Sequence, residues 1–315
     1  MLGLLGAGAP TQKGKNMATR SNGPAAGFGW LANGFSAGFR HPKPLLGGAG
    51  LLIVACLLPT LITLPMQFGA MASGMAQSPT AIVSMMAISM LVGLLIIPLY
   101  AGYLQVVDAA ERGMPARALD IFNPYRRGEA WRLIGFGLTN IAIYIAVIAI
   151  VIMLAGGGIV GWYMQALTAQ AAHQPPPGLP QGFATAMALF VVVGLFMMGF
   201  YAISLGQVAL GKRSVFGAVG DGMVGALKNL LPLLVFAVSL VLAWVVIIIA
   251  FAIVALLLAL IGKLVGAWLM LVLLVPLYLA MMLTMFAVMF GVMYHLWRDV
   301  CGDDAMTGVA AVTAA

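Results

Sequence analysis

The chain has 315 residues, 63% of them hydrophobic and 7% charged, with a formal net charge of +7. Soluble domains carry about 25% charged residues, so 15 basic and 8 acidic side chains cannot cover a globular surface. The composition excludes a soluble enzyme, a disordered chain and a nucleic-acid-binding domain, and leaves a polytopic membrane protein.

In chain order, residues 1–26 read as a disordered tail. Lys13 and Lys15 follow the short apolar start instead of preceding it, which is the reverse of a signal peptide. Residues 1–16 read as tail or as an upstream start-site artefact, with Met17 as the second beginning. A spanning helix needs about 20 mostly apolar residues. Six segments qualify: Leu45–Gln67, Ala81–Leu104, Leu133–Ala155, Phe183–Leu205, Leu230–Ile261 and Leu264–Tyr294. Backbone groups in hydrocarbon must be satisfied internally, so each is expected as a helix. Residues 27–300 form one membrane domain, and 301–315 a disordered C-terminal tail.

Fourteen of the 15 basic residues fall in segments on one side of this topology; Lys263 is the exception. The positive-inside rule makes that side cytoplasmic and, with six spans, places both termini there. The expected location is a bacterial inner membrane. The opposite connections are uncharged, and Pro175–Pro180 is expected as a stiff extended crossing. Cys56 and Cys301 lie far apart in the topology, which argues against a disulfide framework.

The entries to spans one, three and five resemble one another. Asn33-Gly34-Phe35, Arg40 and Pro44-Leu45-Leu46 match Asp221-Gly222-Met223, Lys228 and Pro232-Leu233-Leu234 at an offset of 188. A weaker copy, Asp120-Ile121-Phe122 with Arg127, lies at an offset of 87. Phe28, Leu31, Phe35 and Phe39 share their spacing with Phe216, Val219, Met223 and Leu227, and that spacing puts each set on one helical stripe. The expected fold is all-α: six transmembrane helices as three pseudo-repeated hairpins, about 27–112, 113–213 and 214–300. Each hairpin follows a cytoplasmic interfacial helix. Asn33, Asp120 and Asp221 are N-caps or polar-face residues.

The residues Gly29-Trp30, Gly34-Phe35, Arg40 and Pro44-Leu45-Leu46 ahead of six spans resemble a group of uncharacterised bacterial inner-membrane proteins known by a placeholder locus name. More distantly, the hairpin repeat is similar to the membrane domain of some glycerophosphodiester phosphodiesterases. The resemblance covers about residues 27–300 and implies a six-helix inner-membrane protein. It carries over no catalytic residues.

Chemistry-bearing residues are sparse. Asp108, Glu111 and Arg112 at the end of span two are a relay or gate, or a helix end with local ion pairing, and the second reading is preferred. His295, Asp299, Cys301, Asp303 and Asp304 are metal-binding types without zinc spacing. Tyr294, His295 and Trp297 are expected in an interfacial aromatic belt. No nucleophile motif or phosphate-binding loop occurs. Asn140, inside span three, is expected to bond across helices or to line a polar path. Arg40, Arg127 and Lys228, at equivalent repeat positions, are the candidate lipid-headgroup or docking residues, each worth about 1 kcal/mol near an anionic leaflet. The expected function is a non-enzymatic integral membrane protein that engages lipids, anionic ones foremost, or other membrane proteins. The alternative is a small-solute transporter or channel with a cavity between the hairpins. No cofactor, metal or nucleic-acid partner is expected, and the sequence leaves the oligomeric state open.

Overall fold

The computed structural model describes residues 19–73, 79–155, 158–172 and 174–302. Among these the chain is helical, without strands. The elements are α1 (Ala26–Arg40), α2 (Pro42–Ser73), α3 (Pro79–Glu111), a 3₁₀ turn (Ala118–Phe122), α4 (Asn123–Arg126) and α5 (Ala130–Ala155). There follow α6 (Gly158–Ala171), α7 (Phe183–Ala209), α8 (Val215–Lys228), α9 (Leu230–Val265) and α10 (Ala267–Trp297), with one π turn at Arg298–Gly302. Six helices are long and apolar enough to cross a membrane: Pro42–Gly69, Thr80–Glu111, Ala130–Leu154, Phe183–Ala209, Leu230–Lys263 and Val272–Gly302. The protein is therefore a multi-pass membrane protein, and its spans are those expected from the apolar runs.

Consecutive spans pair as hairpins, α2 with α3, α5 with α7 and α9 with α10. The ring closes through α3 on α5, α7 on α9 and α10 on α2. The second helices, α3, α7 and α10, all touch one another at the centre. The core lies at one end of this bundle, the end bearing the basic segments. Leu45, Tyr103, Leu133, Phe136, Phe200, Leu233 and Phe290 are buried there. Small residues permit this convergence. A Cβ on Gly199 would meet the Leu233 side chain, and one on Gly206 the Trp297 ring. The opposite half leaves Val83, Met153, Phe190, Val246, Leu256 and Val272 exposed. No residue of the most apolar stretch of α9 is buried in the protein. Surface of this kind suits hydrocarbon and not water.

The segments before the hairpins pack on the hairpin that precedes them around the ring. α1 lies on α10 and α9, the 3₁₀ turn on α3 and α2, and α8 on α7 and α5. They dock through small residues, joined in α1 by the buried Trp30, and not through the stripe of phenylalanines. Gly27, Gly34, Ala37 and Gly38 of α1 are buried while Phe28, Phe35 and Phe39 are exposed. In α8, Ala218, Gly222, Gly225 and Ala226 are buried while Phe216 and Leu227 are exposed. The middle segment departs from expectation. It is a five-residue 3₁₀ turn and a four-residue helix in place of a continuous helix. Pro124 sits in the first turn of α4, where its missing N–H costs no helical bond, and Gly128 at φ +71° follows the end of that helix.

Several expectations need correction. Residues 19–25, assigned to the disordered tail, dock on the protein. Lys228 Nζ donates to the Thr19 carbonyl at 2.9 Å, Asn229 Nδ2 to the Arg20 carbonyl at 2.9 Å, and Arg20 N–H to the Val300 carbonyl at 2.9 Å. α6, in the connection after span three, is not anticipated; its 14 residues are too few to read as a span. Its Trp162 Nε1 donates to the Pro177 carbonyl at 3.2 Å, holding the proline-rich segment. Tyr294, His295 and Trp297 are not a belt but buried core, because α1, α3 and α7 enclose the last turns of α10. Residues 1–18 and 303–315, with His173, lie outside the described residues.

Candidate functional site

Two of the polar assemblies at the charged end gather the residues singled out by the sequence. The first is buried. The side chains of Glu111 on α3 and His295 on α10 are 6% and 3% exposed, with Glu111 Oε2 3.8 Å from His295 Nε2. Arg40 at the end of α1 reaches Glu111 Oε1 at 3.5 Å and donates to Ser36 Oγ at 3.1 Å. Neither ring nitrogen of His295 has a hydrogen-bond partner among the described residues. Beside it, Arg112 donates to Asp108 Oδ1 at 2.7 Å, and that bond holds the Arg112 guanidinium above its ordinary pKa. Arg298 sits over the Tyr294 ring, 5.5 Å from its centroid. Asp108 and Glu111 therefore form ion pairs, but Glu111 pairs across three elements, which exceeds the local pairing expected.

The metal-type residues do not converge. Asp299 Oδ2 accepts the Trp30 indole N–H at 2.9 Å, whereas His295 faces Glu111. Cys56 and Cys301 are both free. Asp303 and Asp304 lie outside the described residues.

The second assembly is an open recess of about 460 Å³ where the end of α3, the 3₁₀ turn, α4 and the end of α7 meet. Gln105, Asp108, Asp120, Asn123, Arg127 and Lys212 line it. Its acids are already engaged. Asp108 holds Arg112 at 2.7 Å, and Asp120 Oδ2 accepts the Arg117 backbone N–H at 2.7 Å, which caps the 3₁₀ turn. Its bases are not. Arg127 and Lys212 have no carboxylate partner among the described residues. Lys212 also has φ +51°, the one non-glycine residue with positive φ among those described. Such strain costs about 1–3 kcal/mol and gathers at functional sites. The Gly211-Lys212 chain bends there because the Arg213 N–H returns to the Gln207 carbonyl at 3.0 Å.

The three rim candidates thus separate. Arg127 lines the recess, and its guanidinium has no partner among the described residues. Arg40 is held by Glu111 and Ser36, and Lys228 by both the carbonyl and the hydroxyl of Thr19. Asp221, matched to Asp120 in sequence, is no cap. It lies on the polar face of α8, where Arg213 Nε donates to it at 3.0 Å and Gln207 Nε2 at 3.0 Å. Asn33 lies within α1, exposed, where its carbonyl accepts from Ser36 Oγ at 2.9 Å. Asn140 is buried, but its Nδ2 donates to the Phe136 carbonyl of its own helix at 2.9 Å. Among the described residues it makes no bond across helices, and its Oδ1 is buried without a partner. Lys212 and Gln105 were missed as site residues. A glutamine inside an apolar run marks Gln105, whereas nothing local marks the backbone of Lys212.

Comparison of the chain with known protein families, with curated proteins and with solved structures finds no match.

Proposed function

We propose that the protein is a non-enzymatic membrane protein that binds phospholipid at its charged, cytoplasmic face, and that the recess at Arg127 and Lys212 takes the phosphate of an anionic headgroup. The observation that carries this reading is a pair of cations that have no carboxylate partner among the described residues, in a recess whose carboxylates are already bonded. A guanidinium and an ammonium are the usual donors to phosphate. The recess lies at the end of the spans, at the depth where headgroups sit. In a bacterial inner membrane with both termini inside, that face meets anionic lipid.

The reading includes the threefold repeat of hairpin and interfacial segment. Its support is that Gly34, Ile121 and Gly222, related by the offsets of 188 and 87, are each the crossing point of their segment on the central helix of the preceding hairpin. A Cβ on Gly34 would lie 2.7 Å from the Val292 backbone N, one on Gly102 would run into the Ile121 carbonyl O, and one on Gly222 into Ser204 Oγ. Outward aromatic stripes on α1 and α8 suit interfacial helices whose apolar edge meets lipid. The transporter reading has less support, since Tyr103, Phe200 and Phe290 fill the charged end of the bundle.

Native mass spectrometry of the protein from vesicles mixing phosphatidylglycerol and phosphatidylcholine tests the reading. Two phosphate contacts at about 1 kcal/mol each predict that R127Q/K212Q lowers retention of phosphatidylglycerol roughly tenfold or more. R40Q and K228Q should not. Equal retention by the wild type and R127Q/K212Q overturns the headgroup site.

A further inference from the structure

We propose that a second site, between α2 and α3 in the uncharged half of the bundle, holds an uncharged, membrane-soluble ligand by its carbonyl oxygens. The site is a recess of about 500 Å³, lined by Thr60, Thr63 and Gln67 of α2 and Met85, Met86 and Ser89 of α3. It stands apart from the headgroup recess and does not rest on that reading.

The hydroxyls are the telling feature. In a spanning helix, serine and threonine ordinarily return their proton to the carbonyl one turn earlier. Here Ser84, Thr139, Ser239 and Thr284 do so, each at 2.8 or 2.9 Å, and Thr63 does so at 3.0 Å. Thr60 of α2 and Ser89 of α3, which both line the recess, make no such bond and have no other partner among the described residues; Ser204 Oγ, packed against Gly222, is likewise unpartnered there but lines no recess of this kind. Gln67 Nε2 spends one proton on Thr63 Oγ1 at 3.2 Å, which fixes its amide at the recess wall. The site therefore presents two hydroxyl donors and an anchored amide in surroundings that are otherwise apolar.

A lone polar group facing hydrocarbon costs free energy until it finds a partner. A hydroxyl can both donate and accept, but what is left unspent here is the proton of each hydroxyl, and a partner that brings acceptor oxygens satisfies it. No charged side chain lines the recess, so a charged ligand would meet no counter-ion at a depth where charge is expensive. What fits is a neutral molecule that brings one or two carbonyl oxygens on an apolar body. Met85 and Met86 supply flexible thioether walls that adapt to an acyl chain or to the edge of a ring. Two sources share this chemistry, the ring carbonyls of a quinone and the ester carbonyls of a neutral glyceride.

The test uses the full chain in phosphatidylcholine nanodiscs, loaded with decylubiquinone or with dioleoylglycerol, and reads retained probe by native mass spectrometry. Retention of either probe is expected, and the probe retained names the source. T60V/S89A removes both hydroxyls at nearly constant volume. Two hydrogen bonds at about 1 kcal/mol each correspond to a loss of roughly tenfold or more. M86W fills the recess and should abolish retention, which keeps the test decisive if the double variant fails to fold. S84A, whose hydroxyl is bonded within its helix, should retain the probe like wild type, as should R127Q/K212Q. Retention of neither probe by the wild type, or equal retention by T60V/S89A and M86W, overturns the site.

Discussion

Gly34 of α1 and Gly291 of α10 cross so closely that a Cβ on Gly291 would lie 2.9 Å from the Gly34 Cα. That contact lets a short amphipathic helix lie flat on a spanning one. It also exposes the aromatic stripe of α1, because the small-residue face is the one consumed by packing.

Alanine at Gly34, Gly102 or Gly222 would place its Cβ within 3.0 Å of neighbouring backbone or of Ser204. Each substitution should destabilise by about 1–3 kcal/mol, the usual cost of overpacking. G29A and G220A, with nothing within 4 Å, should be neutral or stabilise by up to about 1 kcal/mol through helix propensity. Thermal or SDS-titrated unfolding in mild detergent checks the contrast. Equal effects at both sets of sites would remove the crossing points from the account of the fold.

Lys212 holds φ +51° beside the recess. Glycine relieves that conformation, so K212G should gain up to about 1 kcal/mol of stability. The same change removes one of the two recess cations and should lower phosphatidylglycerol retention severalfold. Stability and lipid retention moving in opposite directions is the expected signature; a loss of both would show that Lys212 serves folding alone.

Removing Arg40 leaves the nearly buried Glu111 carboxylate with a histidine 3.8 Å away and no full cation within ion-pair distance. An unsatisfied buried carboxylate costs about 1–3 kcal/mol or more, so R40A should destabilise. E111Q/R40A should recover part of that loss, since the amide carries no charge to leave unpaired. A double-mutant cycle read by unfolding measures the coupling, and strict additivity would rule the pair out as an energetic unit.

The docked segment at residues 19–25 joins Lys228 and Asn229 to Val300. N229A removes the side chain that donates to the Arg20 and Gly225 carbonyls and accepts from the Asn22 N–H. It should cost about 1–3 kcal/mol. In a chain shortened to begin at Gly23, the partners Thr19, Arg20 and Asn22 are gone, and K228A should then have almost no effect. Unfolding midpoints of the four proteins decide it. A K228A effect that is the same in both backgrounds would mean Lys228 acts through other contacts.

What the sequence by itself determined is the class and the course of the chain. Long apolar runs must be helices in lipid, because each backbone N–H and C=O needs an internal partner. Counting those runs therefore located all six spans and the asymmetry of charge between the ends. Comparing the entries to spans one, three and five sets Gly34, Ile121 and Gly222 at matching offsets. What only the tertiary structure decided is which side chains share an environment. The stripe of Phe28, Phe35 and Phe39 reads by periodicity as the apolar face of an interfacial helix, but which helix the opposite face of α1 meets is not written in the spacing: α10 takes it, through Gly34, Ala37 and Trp30. Arg40, Arg127 and Lys228 read alike as basic rim residues. Their fates differ because Glu111, Ser36 and Thr19 arrive from distant parts of the chain to engage two of them, whereas Arg127 is left facing a recess. The free hydroxyls of Thr60 and Ser89 were invisible for the same reason. Whether a hydroxyl turns back to its own helix or faces a cavity depends on the neighbouring helix, and sequence spacing does not record that neighbour.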